Sequence, residues 1–171
     1  MAEVISGKNL ILFFRKYDNR ATEDASKLRF QTEHSISLEN ETEGTITKDG
    51  NINTISDGEN TISITSLAYI DDTETIETWR ELRKYFKQKA LVEVWQIDTA
   101  SATGDQYDAE YYQGYFSSFE LSAPADDKVE LSFEFAINGN GAEGTDVLTD
   151  EQKQAVAAVQ YEYAKMAKTG E

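Results

Sequence analysis

The chain has no cysteine, one histidine (His34), one proline and two methionines in 171 residues. Disulfide staples and thiolate chemistry are excluded, and a transition-metal site has little to draw on besides carboxylates. Near the N-terminus the apolar run Leu10 to Phe14 is too short for a signal or membrane segment, and Glu3 and Lys8 flank it with charge. A soluble protein that stays away from membranes and is not exported is expected. Positive charge is scarce as well, with 16 basic residues against 32 acidic ones and a formal net charge of −16. Residues 38–75 hold nine acidic side chains and one basic, 98–134 repeat that ratio, and only 76–89, with five basic and two acidic, reverse it. Such a surface repels nucleic acid, because sequence-independent DNA affinity comes from lysine and arginine displacing phosphate counterions.

What remains is mostly β-pattern around one strong helix. Asp71 to Ala90 places Ile76, Trp79, Leu82 and Phe86 at steps of three and four, which makes one apolar stripe to pack on a β core. Asp71, Asp72 and Glu74 at its start and Lys87 and Lys89 at its end suit the helix dipole. At this length one domain is expected, burying about two-thirds of its unfolded surface.

Strands are predicted at Lys8 to Tyr17, Lys27 to Leu38, Thr61 to Ile70, Leu91 to Asp98, Glu110 to Ser122 and Lys128 to Asn138. The alternation is clearest in the last, where Val129, Leu131, Phe133, Phe135 and Ile137 share one face. In Lys27 to Leu38 the apolar face is Leu28, Phe30, His34, Ile36 and Leu38. Glu39 to Asn60 is rich in turn formers, and Asp49-Gly50 supplies the positive φ of a tight hairpin, so Thr45 to Lys48 and Asn51 to Ile55 are expected to pair. With only Ile46, Ile52 and Ile55 as large apolar residues, this hairpin projects and needs a neighbour to order it. Asn138 to Asp146 reads as a Gly-rich linker. Beyond it Thr149 to Gln152 fits a capping box, and Val156, Val159, Tyr163 and Met166 make a helical stripe over about 150–168, free to dock on another copy or on its own core.

No catalytic constellation stands out. Asn138 to Gly141 lacks both the following helix and the lysine of a phosphate loop. The Asp-Gly turns lack the carboxylate ladder of a calcium loop, and His34 has no marked partners. The tyrosines at 107, 111, 112 and 115 with Phe116 and Phe119 can stack sugars or bases, but no basic residues interleave them and aromatic strand packing is the default reading. Neither an enzyme activity nor a cofactor is expected.

The opening KNLILFF, the segment LRFQTEHSISLENETEGTITKDG, the repeated Asp-Gly turns and the helix ETWRELRKYFKQK resemble the major tail protein, or tail tube protein, of long non-contractile phage tails. The resemblance is strongest to the temperate siphophage branch of lactococci. It covers about residues 1–140 and implies a β-sandwich or barrel-like tail-tube domain with one flanking helix, followed by a linker and helical arm at 141–171. It also implies hexameric rings of the chain, stacked around the tape measure protein. Tail terminator and distal tail or baseplate proteins are the implied further partners, and double-stranded DNA passes through without specific binding. The implied location is the virion tail, with assembly in the host cytoplasm.

On this resemblance the hairpin residues Glu39, Glu41, Glu43, Ile46, Asp49, Gly50, Ile52, Ile55, Asp57 and Gly58 are candidates for contact between subunits or rings. The competing readings are another ring-forming tail protein, which would stop at one ring, and a carbohydrate-binding β-sandwich, which would bind glycans as a monomer. An acid–base hydrolase, a third, would lose activity on mutation of two carboxylates.

Overall fold

The computed structural model describes residues 2–70, 78–101, 103–157 and 166. The strands are β1 (Leu10–Lys16), β2 (Ser26–Lys27), β3 (Gln31–Ser37), β4 (Asn40–Thr47), β5 (Gly50–Asp57), β6 (Thr61–Leu67), β7 (Val92–Asp98), β8 (Gln106–Ser122) and β9 (Glu130–Val147). Helix α1 spans Thr78–Gln88 and α2 spans Asp150–Ala157. Seven strands form one antiparallel sheet in the order β2-β1-β7-β8-β9-β6-β3, and β4 and β5 form a separate two-stranded ribbon. The expectation of a mainly β, sandwich or barrel-like domain with a flanking helix holds, and a single curled sheet supplies its layers.

The curl is visible in contacts between strands far apart in that order. The Gln31 side chain of β3 donates to the Leu12 carbonyl on β1 (3.1 Å) and accepts from its N–H (3.3 Å). His34 Nε2 of β3 meets Gln96 Oε1 of β7 at 2.7 Å. Leu28, Val92, Val94, Ile62, Ile64, Leu131, Phe133 and Phe135 fill the inside, each no more than 1% exposed. Phe116 joins the layers, with its ring centroid 6.1 Å from Phe14, 5.7 Å from Phe133 and 5.3 Å from Phe135. Alternating residues of β6 and β9 point inward, as the period-two pattern requires.

Helix α1 covers this core. Trp79 and Leu82 are buried as expected and Phe86 is partly buried against the core, but Tyr85 is buried too, beside Phe14 and residues 23–26. Ile76 and the acidic start of the predicted helix lie outside the described residues. The Trp79 indole N–H donates to the Tyr69 carbonyl (2.9 Å), and the Tyr69 hydroxyl accepts the Thr78 N–H (3.1 Å). Arg80 and Arg83 lie over the Trp79 ring at 4.7 and 5.3 Å, so part of the basic island is spent on an aromatic face.

Two expectations need correction. The segment 27–38 is not one strand: Phe30 takes φ 58°, and the chain crosses there from β2, at one end of the sheet, to β3, at the other. Phe30 and Leu38 are therefore 44% and 51% exposed instead of sharing the core with Leu28.

The Gly-rich stretch 138–146 is not a linker. It is the second half of β9, paired with β8 from Tyr111↔Ala142 to Gln106↔Val147. Gly139 and Gly141 at positive φ form a bulge opposite Tyr112, so the strand bends without ending. The expected boundary at 140/141 thus falls inside a strand.

The sequence left open whether α2 docks on another copy or on its own core; it begins on its own chain. Leu148 and Val156 pack with Phe13, Ile97 and Trp95 on the outside of the sheet, and Gln152 Nε2 donates to the Ala25 carbonyl (2.9 Å). The capping box is present: Thr149 Oγ1 accepts the Gln152 N–H (3.1 Å) and Gln152 Oε1 accepts the Thr149 N–H (2.9 Å). Val159 and Tyr163 of the predicted stripe lie outside the described residues, and Met166 is 98% exposed.

Candidate assembly surfaces

The hairpin is longer than its sequence suggested. β4 and β5 pair over eight positions from Asn40↔Asp57 to Thr47↔Gly50, so the turn is centred on Lys48-Asp49 and Gly50 carries φ 122° just after it. The Asp49 N–H donates to Thr47 Oγ1 at 3.2 Å at the tip. Nearly every residue of the ribbon is exposed, with Ile46, Ile52 and Ile55 at 89%, 57% and 67%.

The base of the ribbon is held by a residue that the sequence reading passed over. Asn60 is 4% exposed; its Oδ1 accepts the Glu39 N–H (2.7 Å), its Nδ2 donates to the Gly139 carbonyl (2.5 Å) and its own carbonyl accepts the Ile137 N–H (2.9 Å). The Gly58 N–H closes the same joint on the Glu39 carbonyl at 2.7 Å. Glu39 and Gly58 are thus base residues, whereas Glu41, Glu43, Ile46, Asp49, Gly50, Ile52, Ile55 and Asp57 belong to the projecting ribbon. A buried asparagine beside a turn-rich stretch is the signal that was available.

A second surface is the outward face of β8, β9, β6 and β3. Register places Glu120, Ser132, Thr65 and Glu33 in one row across the four strands, Ser118, Glu134, Ser63 and Ser35 in the next, and Tyr115, Ala136, Thr61 and Ser37 in a third. Ser122, Glu130 and Leu67 begin a fourth. None of these positions holds a lysine, arginine or histidine. Among the described residues the wall has two unpaired edges: β3 pairs only with β6, and beyond Gly114 β8 pairs only with β9. Unpaired edge N–H and C=O groups are templates for another strand.

Elsewhere, two groups of polar side chains satisfy one another. His34, Gln96, Glu110 and Tyr112 form a chain at one end of the curl, with Gln96 Nε2 to Glu110 Oε2 at 3.3 Å and the Tyr112 hydroxyl donating to Glu110 Oε2 at 2.7 Å. On the outside of the sheet Glu93, 4% exposed, accepts from Arg15 Nε (3.0 Å) and from the Tyr111 hydroxyl, and the Arg15 guanidinium sits 4.9 Å from the Trp95 ring centre. The aromatic run 107–119 is therefore divided between faces: Tyr112 and Phe116 point inward, Tyr111 and Tyr107 lie with the outer cluster, and Tyr115 is exposed. It offers no single stacking platform.

Burial and then the Glu93 carboxylate push the Tyr111 phenol up to about 12, and burial followed by Glu81 does the same to Tyr85. Burial and Glu110 raise Tyr112 further. Each folded-state value lies above the unfolded value, so the contribution is complete below pH ~10 and is lost as pH rises toward the folded values. Thermal stability is expected to fall progressively between pH 10 and 12. Tyr112→Phe should flatten the fall, which thermal melts with a tyrosinate absorbance titration would check; an unchanged slope would count against the Tyr112 assignment.

Comparison with known proteins points one way. A family model described as phage tail tube protein matches residues 4–142. A putative tail protein of Staphylococcus phage phiMR25 is 29% identical over 167 residues, covering 95% of this chain and 83% of that protein. The fold is similar to the SPP1 tail tube determined by solid-state NMR and cryo-EM, with TM-score 0.70, 18% identity and coverage of 98% of this chain and 95% of that one. It is also similar to the tail of an empty GTA particle computed with helical refinement and C6 symmetry, at TM-score 0.57, 14% identity and coverage of 85% and 100%. Matched over most of its length, the chain belongs to the phage tail tube protein family and is a structural subunit of a tail tube.

Proposed function

We propose that six copies close into a ring by pairing the β3 edge of one subunit with the free half of β8 in the next, and that rings stack into a tube around the tape measure protein. The observation that carries this reading is the four-stranded wall with an open edge on each side. A head-to-tail repeat of one contact closes a ring when the rotation is right, and closure removes both edges. The GTA tail, computed with sixfold symmetry, supports the number of copies.

The wall then lines the bore. Each subunit presents Glu33, Glu120, Glu130 and Glu134 among serines and threonines without a cation. Such a lining keeps DNA off the surface over a Debye length of ~8–10 Å, so the duplex passes without specific binding. The ribbon Asn40–Asp57 reaches the next subunit or ring. Terminator and distal tail or baseplate proteins close the two ends of the tube. The protein acts in the virion tail after assembly in the host cytoplasm, as a structural part and not an enzyme.

Negative-stain microscopy of the concentrated protein tests the reading: hollow tubes of uniform width are expected, and single rings that never stack would favour a terminator or distal tail role instead. With −16 on every copy, self-repulsion opposes stacking. Tube growth followed by light scattering is therefore expected to be faster at higher salt, and growth that slows as salt rises would show that attraction between charges drives assembly.

A further inference from the structure

Resting on the reading of the ribbon as an inter-subunit element, we propose that only one of its two faces is the contact surface: the face centred on Gly44, uncharged except for Asp57 at its base, packs against a second copy of this chain, while the opposite face stays in solvent. Cross-strand partners point to the same side of a ribbon. The pairs Thr42↔Ile55, Gly44↔Asn53 and Ile46↔Asn51 therefore make one face, and Glu41, Glu43, Thr45 and Ile52 belong to the other. The side chains agree, since a Cβ at Gly44 would lie 3.1 Å from Asn53 Oδ1 and 3.4 Å from Asn51 Oδ1.

The ribbon does not order itself. An isolated two-stranded ribbon is marginal in water, and here both strands are exposed along almost their whole length of roughly 25 Å. No other described element covers it, and on the assembly reading its partner is a second copy. The partner's charge then favours one face: a second copy carries −16 with its basic residues gathered in 76–89, so away from that helix a contact through Glu41 and Glu43 brings like charges together as water is removed. The Gly44 face carries no ionisable group from Thr42 to Ile55 and holds the two most exposed isoleucines of the ribbon, Ile46 at 89% and Ile55 at 67%. Gly44, with no side chain, leaves its centre flat, which suits close approach of another sheet or strand.

The test places the same charge on either face of the full-length protein. Asn53→Asp is isosteric and adds a carboxylate to the Gly44 face; Thr45→Asp adds one to the other face. Both sites are exposed, so circular dichroism should be unchanged for each. The critical concentration for tube formation, read by pelleting and microscopy, is expected to rise about tenfold or more for Asn53→Asp and to stay within about twofold for Thr45→Asp. An uncharged pair repeats the comparison, with Ile46→Ser expected to impair assembly and Ile52→Ser expected to spare it. Equal effects from the two faces would overturn the one-face assignment while leaving the ribbon as a contact element. Tubes from a chain lacking Glu41–Ser56 would overturn the ribbon reading itself.

Discussion

Oxidised tubes of a chain carrying one cysteine on each open edge are expected to run on a non-reducing gel as a ladder of covalent oligomers that stops at six. The native chain has no cysteine, so every disulfide comes from the introduced pair. Ser35 or Ser37 on β3 and Ser118 or Ser122 on β8 all lie on the outward face of the wall, where replacement disturbs no core residue. If the edges pair, directly opposed residues bring their Cα atoms to ~4.5–5.5 Å, inside the ~4.4–6.8 Å that a disulfide spans. A slip of two residues moves the thiols ~6.6 Å along the strand, so one combination should link strongly and its neighbours weakly, which reads the register directly. Dimers alone, or dimers from the single Ser35→Cys chain, would mean that β3 pairs with β3 about a twofold axis. No linkage from any combination in intact tubes would remove the edge-pairing model. Each outcome is decided by gel, independently of how the rings stack.

The second large effect concerns the monomer. Gly114→Ala is expected to destabilise the fold by about 3 kcal/mol or more, lowering the melting temperature by roughly 6–12 °C. A Cβ at this position would lie 1.9 Å from the Ala136 carbonyl oxygen and 2.9 Å from its carbon, both backbone atoms that move only if β9 moves. Gly114 is also the last residue of β8 that pairs with β7, opposite Val92, so the shift would reach the centre of the sheet. Gly144→Ala, in the second half of β9 with nothing within 4 Å of the added methyl, is the control and should be nearly neutral. If both variants melted with the wild type, the close approach of β8 and β9 at Gly114 would be wrong.

Strands whose residues alternate apolar and polar declared themselves in the sequence. Val129 to Ile137 and Thr61 to Leu67 have their inward residues where period two puts them, because the pattern is local and one face had to be buried. The helix stripe was legible for the same reason at period 3.6, except for Tyr85, which is buried beside Phe14 and the segment 23–26, residues distant in the chain. The second half of β9 was not legible. Glycines carry no side chain to alternate, and what holds Asn138 to Val147 extended is pairing with β8, some 30 to 40 residues earlier in the chain. The break at Phe30 was hidden by an unbroken alternation that runs through two strands at opposite ends of the sheet.

The candidate assembly surfaces divide in the same way. The hairpin and its turn were written locally, in Asp49-Gly50 and the lack of apolar residues, but its cross-strand partners follow from a turn centred on Lys48-Asp49, one residue earlier than the turn chemistry alone would place it. The wall was invisible, since Glu33, Thr65, Ser132 and Glu120 come from four separate segments and form a row only once β3, β6, β9 and β8 lie side by side.

By itself the sequence determined the excess of negative charge, the absence of thiol chemistry, the inward face of most strands, the helix and the projecting hairpin, all properties carried by residues close in the chain. Strand order decided the rest. The outward residues Trp95 and Ile97 of β7 lie under Leu148 and Val156, whereas Glu130 and Glu134 of β9 stand open beside two unpaired edges. A strand fixes only that its faces alternate, and its neighbours in the sheet settle which outward face is covered and which is left for another copy.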